Sequence, residues 1–167
     1  DMILPPQCPA KTTANTNNLS TYSGIQSPGW YTNGLEPTNN LTLELLPGLY
    51  CIEGDMTINS KSNLKGSGVT LYFKSGSFNM NENHKGFVQL SSCAADAGCG
   101  AAPWSAVQGL LMYVNPEPMT SSKINGGSTN SFVGTIFAPG TDITFNGNSE
   151  TTTPYQFNAQ VIGNSIK

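Results

Sequence analysis

A repeat of about 20 residues is the strongest constraint this sequence carries. Four segments share one shape, in which an apolar residue precedes Asn and a turn follows: Thr57-Ile58-Asn59-Ser60, Phe78-Asn79-Met80-Asn81, Lys123-Ile124-Asn125-Gly126 and Thr144-Phe145-Asn146-Gly147. Asn59 and Asn79 are 20 residues apart, Asn125 and Asn146 are 21 apart, and Asn164 follows Asn146 by 18. The 46 residues from Asn79 to Asn125 read as two periods plus an insertion that holds Cys93, Cys99 and Trp104. Short units at this spacing cannot each bury an apolar face alone, so they stack and share one core. Asn and Gly accept the left-handed backbone that sharp corners need. Stacked Asn side chains can also hydrogen-bond from one coil to the next.

The local pattern agrees. From Leu41–Leu45 to Gln156–Ile162, short stretches alternate apolar with polar residues and are separated by Gly, Pro or Asn. No stretch sustains a helical apolar period. The expected fold is mainly β, a right-handed parallel β-helix (β-solenoid) with coils of about 20 residues. Its inward residues run from Leu43, Leu45, Met56 and Ile58 through Leu71, Phe73, Leu110 and Met112 to Phe145, Val161 and Ile166. Residues 1–40 are rich in Pro, Thr and Asn and read as an extended N-terminal arm with one short helical turn near Asn17–Tyr22. Residues 41–167 form the β-helix domain, with a disulfide-closed insertion around 91–106. A β-sandwich is the competing architecture.

Composition removes several function classes. Only 10% of the 167 residues are charged, against about 25% in an ordinary soluble domain. All seven cations are Lys, and net charge is −3. With no basic cluster, nucleic acid is not an expected partner. No apolar run is long enough to span a membrane as a helix. The first residue is Asp and no export signal is visible, so the chain reads as a processed protein or an excised domain.

Four cysteines allow three pairings. Cys93 and Cys99 bracket a small, easily closed loop, which leaves Cys8 with Cys51. In the loop-entropy account the short bridge contributes roughly 2–2.5 kcal/mol and the long one about 4 kcal/mol. Free thiols and a zinc site are the alternatives, although the one His, His84, stands far from Cys-rich spacing. Disulfides imply an oxidising compartment, and the low charge suits an extracellular or bacterial cell-surface location.

The order of longer blocks carries a resemblance. Leu46-Pro47-Gly48-Leu49-Tyr50-Cys51 precedes Gly54-Asp55-Met56-Thr57-Ile58, then Gly66-Ser67-Gly68-Val69-Thr70-Leu71-Tyr72-Phe73 and Gly109-Leu110-Leu111-Met112-Tyr113. Ser131-Phe132-Val133-Gly134-Thr135-Ile136-Phe137-Ala138-Pro139, Ile143 to Ser149 and Gln160-Val161-Ile162 follow. Over residues 41–167 this order resembles the C-terminal β-helix domain of TadG-like proteins, which are associated with tight-adherence (Flp-type) pili. The resemblance implies a parallel β-helix, export, and a surface or pilus role with no catalytic residues to carry over. Many members carry a Cys before the last coil, where this chain has Thr153-Pro154-Tyr155-Gln156, so the resemblance leaves Cys51 to Cys8 and the arm fastened to the helix. The closing block from Phe132 to Asn146 is also similar to microbial ice-binding β-solenoids, whose usual long helix has no counterpart here.

The titratable residues suggest no enzyme. The acids are scattered, and only Glu53 and Asp55 lie two apart on one strand face. Glycoside hydrolysis needs two carboxylates across a sugar, and chemistry on acidic sugars favours Arg, which is absent. His84 sits in a polar turn with no nucleophile motif nearby. No catalytic residue, cofactor or metal is expected. Three binding surfaces remain. Trp30, Tyr31 and Trp104 could stack on a glycan. Thr42, Thr57, Thr70 and Thr144, each flanked by apolar residues, could align as a hydroxyl row facing ice. Open solenoid ends and the Pro-rich arm could contact other copies or other surface or pilus subunits. The expected function is a non-catalytic extracellular structural or adhesive module of a pilus or cell-surface filament, with ice binding and carbohydrate binding as alternatives.

Overall fold

The computed structural model describes residues 3–81, 84–95, 98–117, 120–125, 129–146 and 156–167. Their strands wind into a parallel β-solenoid of about six turns, with coils of about 22 residues. The first coil holds β1 (Thr16–Asn17), β2 (Thr21–Tyr22) and β3 (Gly24–Gln26). The second holds β4 (Gly29–Tyr31), β5 (Glu36–Pro37) and β6 (Thr42–Leu45), and the third β7 (Gly48–Glu53), β8 (Met56–Ile58) and β9 (Asn63–Ser67). The fourth has β10 (Val69–Ser75), β11 (Phe78–Met80) and β12 (Val88–Ser91); β13 (Leu110–Val114) and β14 (Thr120–Asn125) begin the fifth. The long strands β15 (Ser131–Asn146) and β16 (Gln156–Ile166) then bend around the corners and contribute to all three faces.

Every strand pairing is parallel and adds the next coil to its face. Face one is β1-β4-β7-β10-β13-β15-β16 and face three is β3-β6-β9-β12-β15-β16. On face two β8-β11-β14-β15-β16 form one ladder, and β2 and β5 pair as a separate one. Register puts like residues in columns. Tyr50, Leu71, Met112, Ile136 and Val161 stack inward on face one, and Leu45, Gly66, Leu90, Phe132 and Phe157 on face three. Leu43, Met56, Ile58, Leu71 and Phe73, drawn from all three faces, are fully buried, as expected. Burying each such side chain stabilises the fold by about 1.5–3 kcal/mol. Two expectations differ: Leu110 packs on the outer side of face one, and Ile166, on the last coil, is 54% exposed because no coil follows it among the described residues.

Corners are fastened by polar ladders. Asn81 Nδ2 donates to Asn59 Oδ1 (3.1 Å), Asn125 Nδ2 to the Met80 carbonyl (2.9 Å), and Asn146 Nδ2 to Asn125 Oδ1 (3.0 Å). The stacked residues are therefore Asn59, Asn81, Asn125 and Asn146. Asn79 lies instead on a strand, between Thr57 and Lys123, and Asn164 donates to Asp142 at a different corner. β11 pairs directly with β14, so the long gap is one coil plus an insertion, not two coils plus one. Gly126, Gly147 and Thr153–Tyr155 lie outside the described residues.

The arm is shorter than its composition suggests. Residues 16–37 already form strands that stack under the later coils, leaving residues 3–15 as the extension, with a single 3-10 turn at Thr13–Asn15. Strands of two or three residues show no alternation, and a polar backbone-bonded coil there has the composition of a loop. The insertion leaves after β12 and returns at β13, with Cys93 bridged to Gln108.

Candidate functional site

Face one is apolar on both sides. Its outward column reads Trp30, Cys51, Tyr72, Tyr113, Phe137 and Ile162. Trp30, Leu49, Cys51, Tyr72, Leu110 and Tyr113 form a second buried cluster, against which Ile3, Cys8, Trp104 and Phe137 pack. Tyr72 meets Tyr113 edge-on at 5.3 Å, and Tyr113 meets Phe137 at 5.3 Å. The arm and the insertion are the lid of this outer core.

Both expected disulfides are present and serve that lid. Cys8–Cys51 fixes the arm to the outward column, and Cys93–Cys99 closes the insertion. Such bridges mark a non-reducing environment. Trp30 Nε1 donates to the Pro9 carbonyl at 2.7 Å, Lys11 and Lys74 lie over its ring at 4.6 and 5.2 Å, and Lys11 pairs with Glu53 at 2.6 Å.

These contacts reassign the expected aromatic platform. Trp30 is 4% exposed and anchors the arm. Tyr31, 1% exposed, points into the solenoid, stacks between Tyr22 and Tyr50, and donates to the Ser27 carbonyl at 2.7 Å. Burial pushes the Tyr31 and Tyr50 hydroxyls far above their ordinary pKa. Only Trp104 remains half-exposed.

Nor do the four threonines form a row. Thr42 is on face three, Thr70 on face one, and Thr57 and Thr144 on face two, separated there by Asn79 and Lys123. Thr70 is fully buried beneath the insertion: its hydroxyl donates to the Leu110 carbonyl (2.8 Å) and accepts from the Val107 amide (2.9 Å).

The acids seen as a pair have separate structural duties. Glu53 holds Lys11, and Asp55 Oδ1 accepts from the Ser77 amide at 2.8 Å. Asp142 repeats the device at the same corner on a later coil, accepting from Asn164 (3.0 Å) and Ser165 (2.8 Å), which holds its carboxyl below the usual range. Among the described residues no group of three His, Cys, Asp or Glu could hold a metal. His84 Nε2 donates to the Ser62 carbonyl at 2.9 Å while Nδ1 is buried without a partner among the described residues; burial lowers its pKa.

Two surfaces escape a reading of local motifs. One is a pair of depressions on either side of Leu46 and Pro47. The first, about 370 Å³, lies on face three beside Glu44, Lys65, Ser67, Gln89, Ser91 and Ser131. The second, about 600 Å³, lies between Pro28 and the insertion, beside Gly100, Ala101, Ala102 and Trp104. Leu46 and Pro47 line both. The other surface is the last coil. Among the described residues β16 pairs with β15 alone, so the far edge of an 11-residue strand carries unpaired backbone groups. Ile162 and Ile166 are 36% and 54% exposed along it. No known family, curated protein or solved structure matches the chain.

Proposed function

We propose that this chain is a non-catalytic structural module of an extracellular assembly, and that it associates with other copies through its last coil. The observation that carries this reading is the edge of β16 left unpaired among the described residues. A long strand edge flanked by exposed apolar side chains is a template for pairing with another chain, here in segments on successive faces. Lysine, proline or a bulge usually blunts such an edge; Gln156–Ile166 contains neither Lys nor Pro. The small net charge of −3 opposes association only weakly. The disulfides and the resemblance to TadG-like β-helix domains support a surface or pilus setting.

Sedimentation velocity across a wide concentration range tests the reading. The wild-type chain is expected to self-associate, and Ile162→Lys with Ile166→Lys is expected to hold it monomeric with an unchanged circular-dichroism spectrum. A wild-type chain that stays monomeric at the highest concentrations refutes it, as does association indifferent to the two lysines.

A further inference from the structure

We infer that the paired depressions at Leu46–Pro47 form one binding groove for an uncharged, hydroxyl-rich ligand, a neutral oligosaccharide. The reading is independent of assembly through β16, since the groove lies along face three and the insertion.

The polar half is built one residue per coil. Glu44, Lys65, Gln89 and Ser131 stand opposite one another on consecutive strands of face three. Three steps of about 4.8 Å give a line of polar groups about 14 Å long. That length suits several sugar rings rather than one. The amide of Gln89 and the hydroxyl of Ser131 line this depression, and amides and hydroxyls both donate and accept, as sugar hydroxyls require.

Charge selects the ligand. Glu44 and Lys65 are the charged side chains of this lining, and they pair with each other at 2.8 Å. Neither sign is left in excess, so a polyanion or polycation gains no partner without breaking that pair. Among the described residues, the lining of the second depression contains no charged one. It supplies instead an indole, Trp104, with proline and alanine around it. An aromatic face beside polar groups suits a molecule whose rings are apolar on their faces and polar at their rims.

Affinity electrophoresis of the full disulfide-bonded chain provides the test. Gels are cast with a mixed-linkage glucan, a galactomannan or a xylan, and with polygalacturonate as the anionic comparison. At least one neutral polysaccharide is expected to retard the protein. Trp104→Ala should weaken that retardation about tenfold and Gln89→Ala about threefold, whereas Trp104→Phe keeps an aromatic face and Thr57→Ala, on face two, changes nothing. Gln89 is an exposed strand residue, so its replacement tests the groove even if Trp104→Ala disturbs the insertion. Retardation by polygalacturonate alone, by none of the polymers, or undiminished in both Gln89→Ala and Trp104→Ala would overturn the inference.

Discussion

Replacing Gly76 with Ala tests whether contact between successive corners sets the stacking. Gly34, Gly54 and Gly76 turn the same corner on three consecutive coils, each with positive φ. At Gly76 φ is +79°, and an added Cβ would lie 2.3 Å from the carbonyl carbon and oxygen of Gly54 and 2.8 Å from the Asp55 amide nitrogen. Gly109 is the control: φ is +76° and a Cβ would meet nothing within 4 Å. The left-handed conformation costs Ala about 1–2 kcal/mol. Reduced freedom of the unfolded chain returns about 0.4–1 kcal/mol. Gly109→Ala should therefore destabilise by about 0.5–1 kcal/mol. Gly76→Ala carries the same backbone terms and adds overpacking, typically about 1–3 kcal/mol. The upper end applies because the obstructing atoms are backbone of the neighbouring coil. The expected total is about 3.5–4 kcal/mol. For a chain of this size each kcal/mol moves Tm by about 2–4 °C. Thermal unfolding followed by circular dichroism, with both disulfides intact, should show a loss of about 1–4 °C for Gly109→Ala and about 7–16 °C for Gly76→Ala. Equal losses would mean that the corners do not touch as described, and the stacking argument would fail.

Other consequences follow from single contacts. Replacing Cys8 and Cys51 together with Ser removes the closure of a 43-residue separation, about 4 kcal/mol in the chain-entropy account; limited proteolysis should then cut within residues 3–15 first, and an arm that stays protected would count against the disulfide as its anchor. Tyr50→Phe removes the single hydroxyl proton shared by the Leu46 and Gln26 carbonyls, 2.8 and 2.9 Å away; the Gln26 carbonyl keeps the Leu46 amide at 3.0 Å, and chemical denaturation should report a loss of about 1–2 kcal/mol. For His84 the folded pKa is below its ordinary 6.5, so the unfolded chain binds the proton more readily. Stability should be constant above about pH 7.5, fall as pH drops through 6.5, and level off below the folded value; His84→Gln, which keeps a donor for Ser62, should flatten that slope, and an unchanged slope would refute the assignment.

How far the sequence reveals this molecule depends on the length of the pattern. The period was legible because apolar residues recur over more than 100 positions, and the inner columns followed from it. The corner assignment slipped by two residues because Asn79 and Asn81 flank Met80 symmetrically, and only the ladder tells which of them stacks on Asn59. The glycine column was there to be read, at spacings of 20 and 22, but each glycine alone resembles any turn. Trp30 and Tyr31 looked exposed because Pro, Gly and Asn surround them. Their partners one coil later, Cys51 and Ile52, belong to the uninterrupted apolar run Leu49–Ile52, the signature of a strand buried on both faces. The groove had no local signal. Glu44, Lys65, Gln89 and Ser131 are separated by 21, 24 and 42 residues, and the last interval contains the insertion that forms the groove's other half.

Among the described residues the first and last coils differ, and that difference bears on what the proposed association through β16 would build. At the N-terminal end the first-coil strands are two, two and three residues long and interrupted by turns. The arm anchored by Cys8 and Trp30 covers the outward column on that side. At the other end a single strand of 11 residues runs along all three faces, and the outward column finishes on exposed Ile162. Head-to-tail stacking, which would continue without limit, has to match this long edge to three fragments. Tail-to-tail contact instead presents the same edge twice, with the same isoleucines on both partners. Such an isologous contact closes on itself. The geometry therefore favours a dimer as the first assembled species, and any longer filament needs a second surface on the same chain.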